Sequence, residues 1–312
     1  MVTESHPLNW KIGLVGYGEV GRILAEDLHQ LGVAVCTYDI KLGGDEEMPL
    51  VAHAERFGVT LKASHAELAR HSDLIISAVT ADQTLAAAEA CAPHQAHAYF
   101  LDLNSASPGI KCRAAECLAA AGGCYVEGAV MTSVPPHRIG VPLLLGGPQA
   151  EALAAPLARL GFRPRVADTR LGVASATKMC RSVVIKGLEA MLIESLTAAR
   201  RFGVEDEVLA SLAETFPGID WEQQASYMFG RVIAHGQRRA DEMREVAKTV
   251  REAGLVPWSA TGTAERQAWM AGLTDKGCFG KRNDPTFARS PDWRTEADRI
   301  LAHKSHLTKE DR

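Results

Sequence analysis

In the first 170 positions, short apolar runs alternate with Ala-rich stretches of helical spacing. Lys11 to Val15 reads as a strand, and Glu19 to Leu31 as a helix that closes at Gly32. A strand at Val33 to Tyr38, a helix at Leu50 to Phe57, a short strand at Val59 to Leu61 and a helix at His65 to His71 follow. Leu74 to Val79 is apolar on both faces, as a parallel strand covered by helices on each side must be. Tyr99 to Leu103, Tyr125 to Val130 and Pro142 to Gly146 continue the rhythm. The alternation predicts an α/β domain with a doubly wound sheet.

The rhythm stops near Arg170. From Gly172 to Phe202 there is no Pro, and Val173, Ala176, Cys180, Val183, Leu188, Met191 and Leu196 recur at helical spacing. Such a helix spans about 45 Å, long enough to bridge two domains. Glu205 to Ala213, Asp220 to Gly236, Arg238 to Ala253 and Ala260 to Ala271 are helical in pattern, with no strand among them. The polar, Pro-interrupted segment from Lys276 onward reads as a loosely packed extension. The expected organisation is therefore a sheet domain over 1–170, an interdomain helix over 171–202 and an all-α domain over 203–312.

Composition narrows the function. Hydrophobic residues are 46% and charged residues 23% of the 312, globular values that allow a large core. The net charge of −4 gives no basic footprint for nucleic acid. No apolar run reaches membrane length, since Ser77 interrupts the longest candidate. Seven scattered cysteines form no Cys-x-x-Cys pair and no zinc spacing, so neither metal nor disulfide framework is expected. Met1 to Trp10 lacks a basic-then-apolar leader, which points to the cytoplasm.

Gly16-Tyr17-Gly18-Glu19-Val20-Gly21 follows the first strand and opens the first helix. In that context the pattern is a dinucleotide fingerprint. Gly16 permits the tight turn, Gly18 lets backbone N–H groups approach a pyrophosphate, and Gly21 lets helix and sheet pack closely. Asp39 ends the second strand where a carboxylate would meet the adenosine ribose, favouring NAD over NADP. Lys41, two residues on, offers partial neutralisation that would admit NADP. Val79-Thr80 and Asn104 follow two further strands, at the sheet edge where ligands bind. Asn104 either orients a nicotinamide or makes an Asx turn before Pro108.

Lys178 lies on the Ala-rich side of the bridging helix, with Arg181 and Ser182 at i+3 and i+4. A partly desolvated lysine beside a second cation has its pKa pushed down and can exchange a proton with a hydroxyl near neutral pH. A snorkelling helix lysine has the same sequence signature.

These motifs resemble the beta-hydroxyacid dehydrogenase superfamily, which includes hydroxyisobutyrate and phosphogluconate dehydrogenases. The resemblance is carried by G-L-V-G-Y-G-E-V-G, Asp39, D-L-N-S-A-S-P at Asp102 to Pro108, E-G-A-V-M-T-S at Glu127 to Ser133, and the G-x-x-x-x-x-K segment ending at Lys178. It implies a Rossmann domain, a long interdomain helix and a helical domain that dimerises. It further implies Lys178 as general acid/base and Met131, Thr132 and Ser133 as the loop holding a substrate carboxylate. Where the family usually carries Ser-Gly-Gly and Asn, this chain has Met131-Thr132-Ser133 and Ser182. Arg181 is left either to clamp a carboxylate or to pair with Glu189. His235, Arg238 and Arg239 either bind an anionic substrate or form a solvated face. The reading is an NAD(P)-dependent oxidoreductase acting on a small hydroxy acid, with decarboxylation as a further step where the product is a beta-keto acid. An imine reductase and a non-catalytic NAD-binding sensor are the rivals.

Overall fold

The computed structural model of the protein describes residues 6–95 and 98–310; the stretch 1–5, part of the segment read for a leader, lies outside the described residues. The chain divides into two compact units, Met1–Met179 and Cys180–Arg312.

In the first unit the elements are β1 (Lys11–Val15), α1 (Glu19–Gln30), β2 (Ala34–Tyr38), α2 (Glu47–Arg56), β3 (Thr60–Leu61), α3 (His65–Arg70) and β4 (Leu74–Ser77). They continue with α4 (Thr84–Cys91), β5 (Tyr99–Asp102), α5 (Pro108–Ala120), β6 (Cys124–Val130), α6 (Val134–His137), β7 (Pro142–Gly146), α7 (Ala150–Arg159) and β8 (Arg163–Asp168). The eight strands form one sheet in the order β3-β2-β1-β4-β5-β6-β7-β8. Strands β1 to β6 are parallel; β7 runs antiparallel to β6, and β8 parallel to β7. This is the expected Rossmann-type sheet.

Strand side chains alternate between two cores. Ile12, Leu14, Ile76, Leu101 and Val126 pack with Leu24 and Leu28 of α1 and Leu153 and Leu157 of α7. Val15, Ile75, Phe100 and Tyr125 pack with Leu68, Ala88 and Leu118 of α3, α4 and α5. Burial on both faces is why the β4 run reads as continuously apolar. The chain leaves β1 toward β2 and β3, then returns to place β4 on the other side of β1, making a switch point between the β1 and β4 loops.

Strand β8 has no counterpart in the sequence reading. Its Arg-Pro-Arg-Val-Ala-Asp sequence carries charge and a proline because it is an edge strand, exposed or half-buried throughout.

A 30-residue helix, α8 (Val173–Phe202), begins in the first unit and ends in the second, and the division falls inside it. The second unit continues with α9 (Glu205–Thr215), α10 (Trp221–Glu252), α11 (Trp258–Asp275) and α12 (Trp293–Glu310). It is all-helical among the described residues, as the pattern predicted. The two helices expected over 220–236 and 238–253 are one element, α10, kinked at His235 (φ −132°, ψ 19°). The break in pattern is real, because Gly236 lets α11 approach; a Cβ there would sit 2.9 Å from the Gln267 carbonyl. The loosely packed extension expected from Lys276 is a correction. Trp293, Ala297 and Ile300 of α12 are fully buried with Phe229 and Val232 of α10. Polar residues on the outward face of α12 masked that apolar stripe. No described helix is long and apolar enough to cross a membrane.

Candidate functional site

The turn after β1 is built by its glycines. Gly16 has φ +92°, and a Cβ there would lie 2.6 Å from the Ala78 carbonyl at the end of β4. Gly21 touches the same turn, since its Cβ would sit 2.2 Å from the Gly16 carbonyl. Gly18 differs: a Cβ there meets nothing within 4 Å. The fold needs Gly16 and Gly21, whereas the space above Gly18 is open, at the N-terminus of α1 where free N–H groups favour an anion. Glu19 is exposed and Val20 half-buried.

The Tyr17 side chain faces inward instead of toward this space. It is fully buried, its hydroxyl bonds His53 Nδ1 at 2.8 Å, and burial pushes its pKa up to about 12. Of the fingerprint's three variable positions, Tyr17 therefore offers a ligand its backbone alone. His53 continues to Glu26 at 3.0 Å, and Glu26 to Arg138 at 2.6 Å. Arg138 also bonds Asp27, a pair of anchors that holds it at φ +52° just past the Met131–Ser133 loop.

Asp39 accepts the Tyr17 N–H at 2.6 Å and the Lys41 N–H at 2.9 Å. The expectation that Lys41 neutralises Asp39 is corrected. Its ammonium is 2.6 Å from Glu46 instead, so Lys41 meets Asp39 only through its backbone. With two N–H bonds accepted, the carboxylate at the end of β2 has acceptor capacity left for a hydroxyl donor.

Asn104 is a clamp between two strand ends. Its Oδ1 accepts the Val79 N–H at 2.7 Å, and its Nδ2 donates to Ser77 Oγ at 2.9 Å. The Asx turn at this point belongs to Asp102, whose Oδ1 accepts the Asn104 N–H at 2.9 Å. Thr80 is exposed at the same edge.

Beneath the clamp lies a polar group that sequence reading treated only as motif letters. Asp102 is fully buried, paired with buried Lys111 at 2.7 Å, and accepts the Tyr125 hydroxyl at 2.7 Å. Burial, then the Asp102 charge, holds the Tyr125 hydroxyl well above its ordinary pKa. Every member has a partner, the condition under which such a network fixes a single geometry. The β5 end that carries Asn104 and Ser105 is thereby pinned.

Lys178 is half-buried, and its ammonium donates to Ser105 Oγ at 2.6 Å. Ser105 was given no role of its own; its place beside Asn104 in D-L-N-S-A-S-P, in a loop expected at the ligand edge, was the signal. The first turn of α8 is set by Glu127 of β6, itself buried. Its carboxylate accepts the Ala174 N–H at 3.0 Å, the Ser175 N–H at 3.3 Å and the Ser175 hydroxyl at 2.8 Å. A negative charge against free N–H groups at a helix start is favourable. Gly146, the cross-strand partner of Glu127, makes room for it, since a Cβ there would lie 2.3 Å from Glu127 Oε1.

Met131 packs against the small cluster of Ala129, Leu144 and Ala174, while Thr132 is exposed and Ser133 half-buried before α6. In the second unit, Arg181 is exposed and Ser182 buried. Buried Glu189 binds Arg239 Nε at 2.9 Å and Gln267 at 3.2 Å. Arg239 is thus neither solvated nor available to an anion, and Arg238 bonds Glu242 at 2.8 Å on the surface.

Residues 11–104 match a family described as NADP oxidoreductase coenzyme F420-dependent, and residues 199–270 match a Domain of unknown function (DUF1932). A conserved hypothetical protein from Sinorhizobium meliloti 1021 is 35% identical, with a TM-score of 0.73 over 94% of this chain and 96% of that one. A second structure is 30% identical, with a TM-score of 0.66 over 85% of this chain and 99% of its own. It is a conserved protein of unknown function described as structurally similar to 3-hydroxyacid dehydrogenases. The chain belongs to the beta-hydroxyacid dehydrogenase superfamily. The 3-hydroxyisobutyrate dehydrogenase of Mycobacterium tuberculosis, solved with L-serine, shares the superfamily fold at 14% identity, with a TM-score of 0.69 over 94% of this chain and 99% of that one. The superfamily assignment covers both the dinucleotide-type sheet and the helical region that follows it.

Proposed function

We propose that this protein is an NAD(P)-dependent oxidoreductase that moves a hydride between a nicotinamide cofactor and a small hydroxy acid. The observation that carries the reading is the 2.6 Å contact between Lys178 Nζ and Ser105 Oγ, which holds an amine at the ligand edge of the sheet. The residues fit a dinucleotide: the open space above Gly18 suits a pyrophosphate, and Asp39 suits ribose hydroxyls. With the Lys41 ammonium committed to Glu46, no cation offsets Asp39 toward a ribose phosphate from that side chain, which favours NAD. In this reading residues 1–170 bind the cofactor, 171–202 present Lys178, and 203–312 form the all-α domain that dimerises.

The bound nicotinamide supplies the hydride acceptor in oxidation and the donor in reduction. Neutral Lys178 takes the hydroxyl proton as the substrate C–H bond gives up its hydride; in reverse, the ammonium returns that proton to the alkoxide. Ser105 holds the amine in place. Thr132, Ser133 and Ser182 offer hydroxyls to the substrate carboxylate and hydroxyl, Arg181 a guanidinium, and Met131 an apolar wall. Asn104 keeps the β4 and β5 loops together beside the cofactor, with Val79 and Thr80.

The test is an absorbance assay of short hydroxy acids with NAD and NADP, alongside a panel of cyclic imines, with carbon dioxide release scored for decarboxylation. Lys178→Ala is expected to lower kcat by about 10²- to 10⁴-fold with dinucleotide Kd changed less than about threefold. Full turnover by that variant would refute the role of Lys178. Imine reduction without hydroxy-acid turnover would favour the rival enzyme, and dinucleotide binding with no turnover would favour a sensor.

A further inference from the structure

The second unit contains a groove of about 630 Å³ that the proposed reaction does not use. One wall is the N-terminal half of α10, where Tyr227, Arg231 and His235 recur every fourth residue and so form one stripe. The opposite wall is the segment from Ala288 to Pro291. The walls are locked together at Gly230, where a Cβ would lie 2.7 Å from the Ala288 carbonyl, and Ala288 itself takes φ +57°.

Many guanidinium groups of this unit have carboxylate partners: Arg200 with Asp298, Arg239 with Glu189, Arg294 with Glu222, Arg299 with Glu296. Arg231 and Arg289, both lining the groove, have no carboxylate partner among the described residues. The Arg231 Nε is buried without a hydrogen-bond acceptor, a costly state for a charged donor. Its guanidinium lies 5.7 Å from the Tyr227 ring centre, within cation–π range. The one acid at the groove, Glu222, is already matched by Arg294 at 2.8 Å and by the Trp293 indole N–H at 2.9 Å. Two positive charges therefore face the cavity unopposed.

We propose that this groove binds a small organic dianion through its oxyanion groups, phosphate or carboxylate, with Arg231 and Arg289 taking the charge and Tyr227 covering the carbon skeleton. Planar guanidinium forks suit both kinds of oxyanion. The inference does not rest on the oxidoreductase reading.

The experiment is calorimetric titration of the full-length protein at low ionic strength, with inorganic phosphate in one arm and succinate in the other. Saturable binding is expected in at least one arm, weakened tenfold or more by the double variant Arg231→Gln, Arg289→Gln. A charge-matched control, Arg201→Gln with Arg251→Gln, removes two arginines outside the groove and is expected to shift Kd less than about twofold, since screening limits distant exposed charges. Circular dichroism confirms that both variants remain folded. The arm that binds more tightly names the source of the oxyanion. Absence of saturable binding in both arms, equal weakening in the two double variants, or binding untouched by the groove variant overturns the proposal. The last result would place the anion elsewhere, at the start of α1 for instance.

Discussion

Glu127 shows how much of a site's geometry can be carried by a side chain whose hydrogen bonds go to a helix start. It spends both carboxylate oxygens on the first turn of α8, three residues ahead of Lys178. Glu127→Gln keeps the size but turns one oxygen into an NH2 that faces donors. Hydrogen bonds to a buried charge contribute about 1.5–3 kcal/mol each, with part recovered by the amide oxygen. The variant is expected to lose about 1–3 kcal/mol in urea unfolding, and conservative replacement by Asp should not restore it, because the shorter side chain withdraws from α8. An unchanged midpoint would mean that the cap is dispensable. The tight turn at Gly16 and Gly21 and the place of Lys178 on α8 were legible in the sequence because they follow from spacing along one turn or one helix. Glu127 and Ser105 were not, because their roles depend on cross-sheet register: Glu127 opposite Gly146, and the β5 end opposite the start of α8.

Among elements, the strands with apolar side chains on both faces were readable, and those that break the rule were not. Strand β8 hides behind two arginines and a proline, and α12 behind its polar outer face. The α8–α10–α11 contact was hidden for a different reason: it is polar where a core was expected. Glu189, Arg239 and Gln267 are all buried there, so the sequence looked like solvated helix. Removing one partner from such a pair leaves a buried charge unmatched, at a cost of about 3–5 kcal/mol. Glu189→Ala should therefore unfold at much lower denaturant than wild type. Arg238→Ala, which breaks the surface pair with Glu242, should cost no more than about 1 kcal/mol. Comparable losses for the two would show that Arg239 finds another acceptor.

For the whole molecule, the α/β class of the sheet part followed from alternation and the all-helical second part from helical periodicity, while the way the helical part buries its surface did not. Several large apolar side chains of that unit stay exposed, among them Val184 at 68%, Met191 at 61% and Trp258 at 81%. Val184 and Met191 are two turns apart on α8 and share a face. Such surface is what a homodimer would cover. Light scattering is expected to give twice the chain mass for wild type and the single mass for Val184→Glu with Met191→Glu; a dimer that survives both changes would place its interface elsewhere. One more consequence belongs to α8, which serves both units. A fragment ending at Met179 would leave Lys178 on a stub of seven residues, below the roughly 12–15 that a lone helix needs in water. The Lys178 amine is thus inherited only with the helical half, and any recombination that swaps one part for another must carry the joint intact.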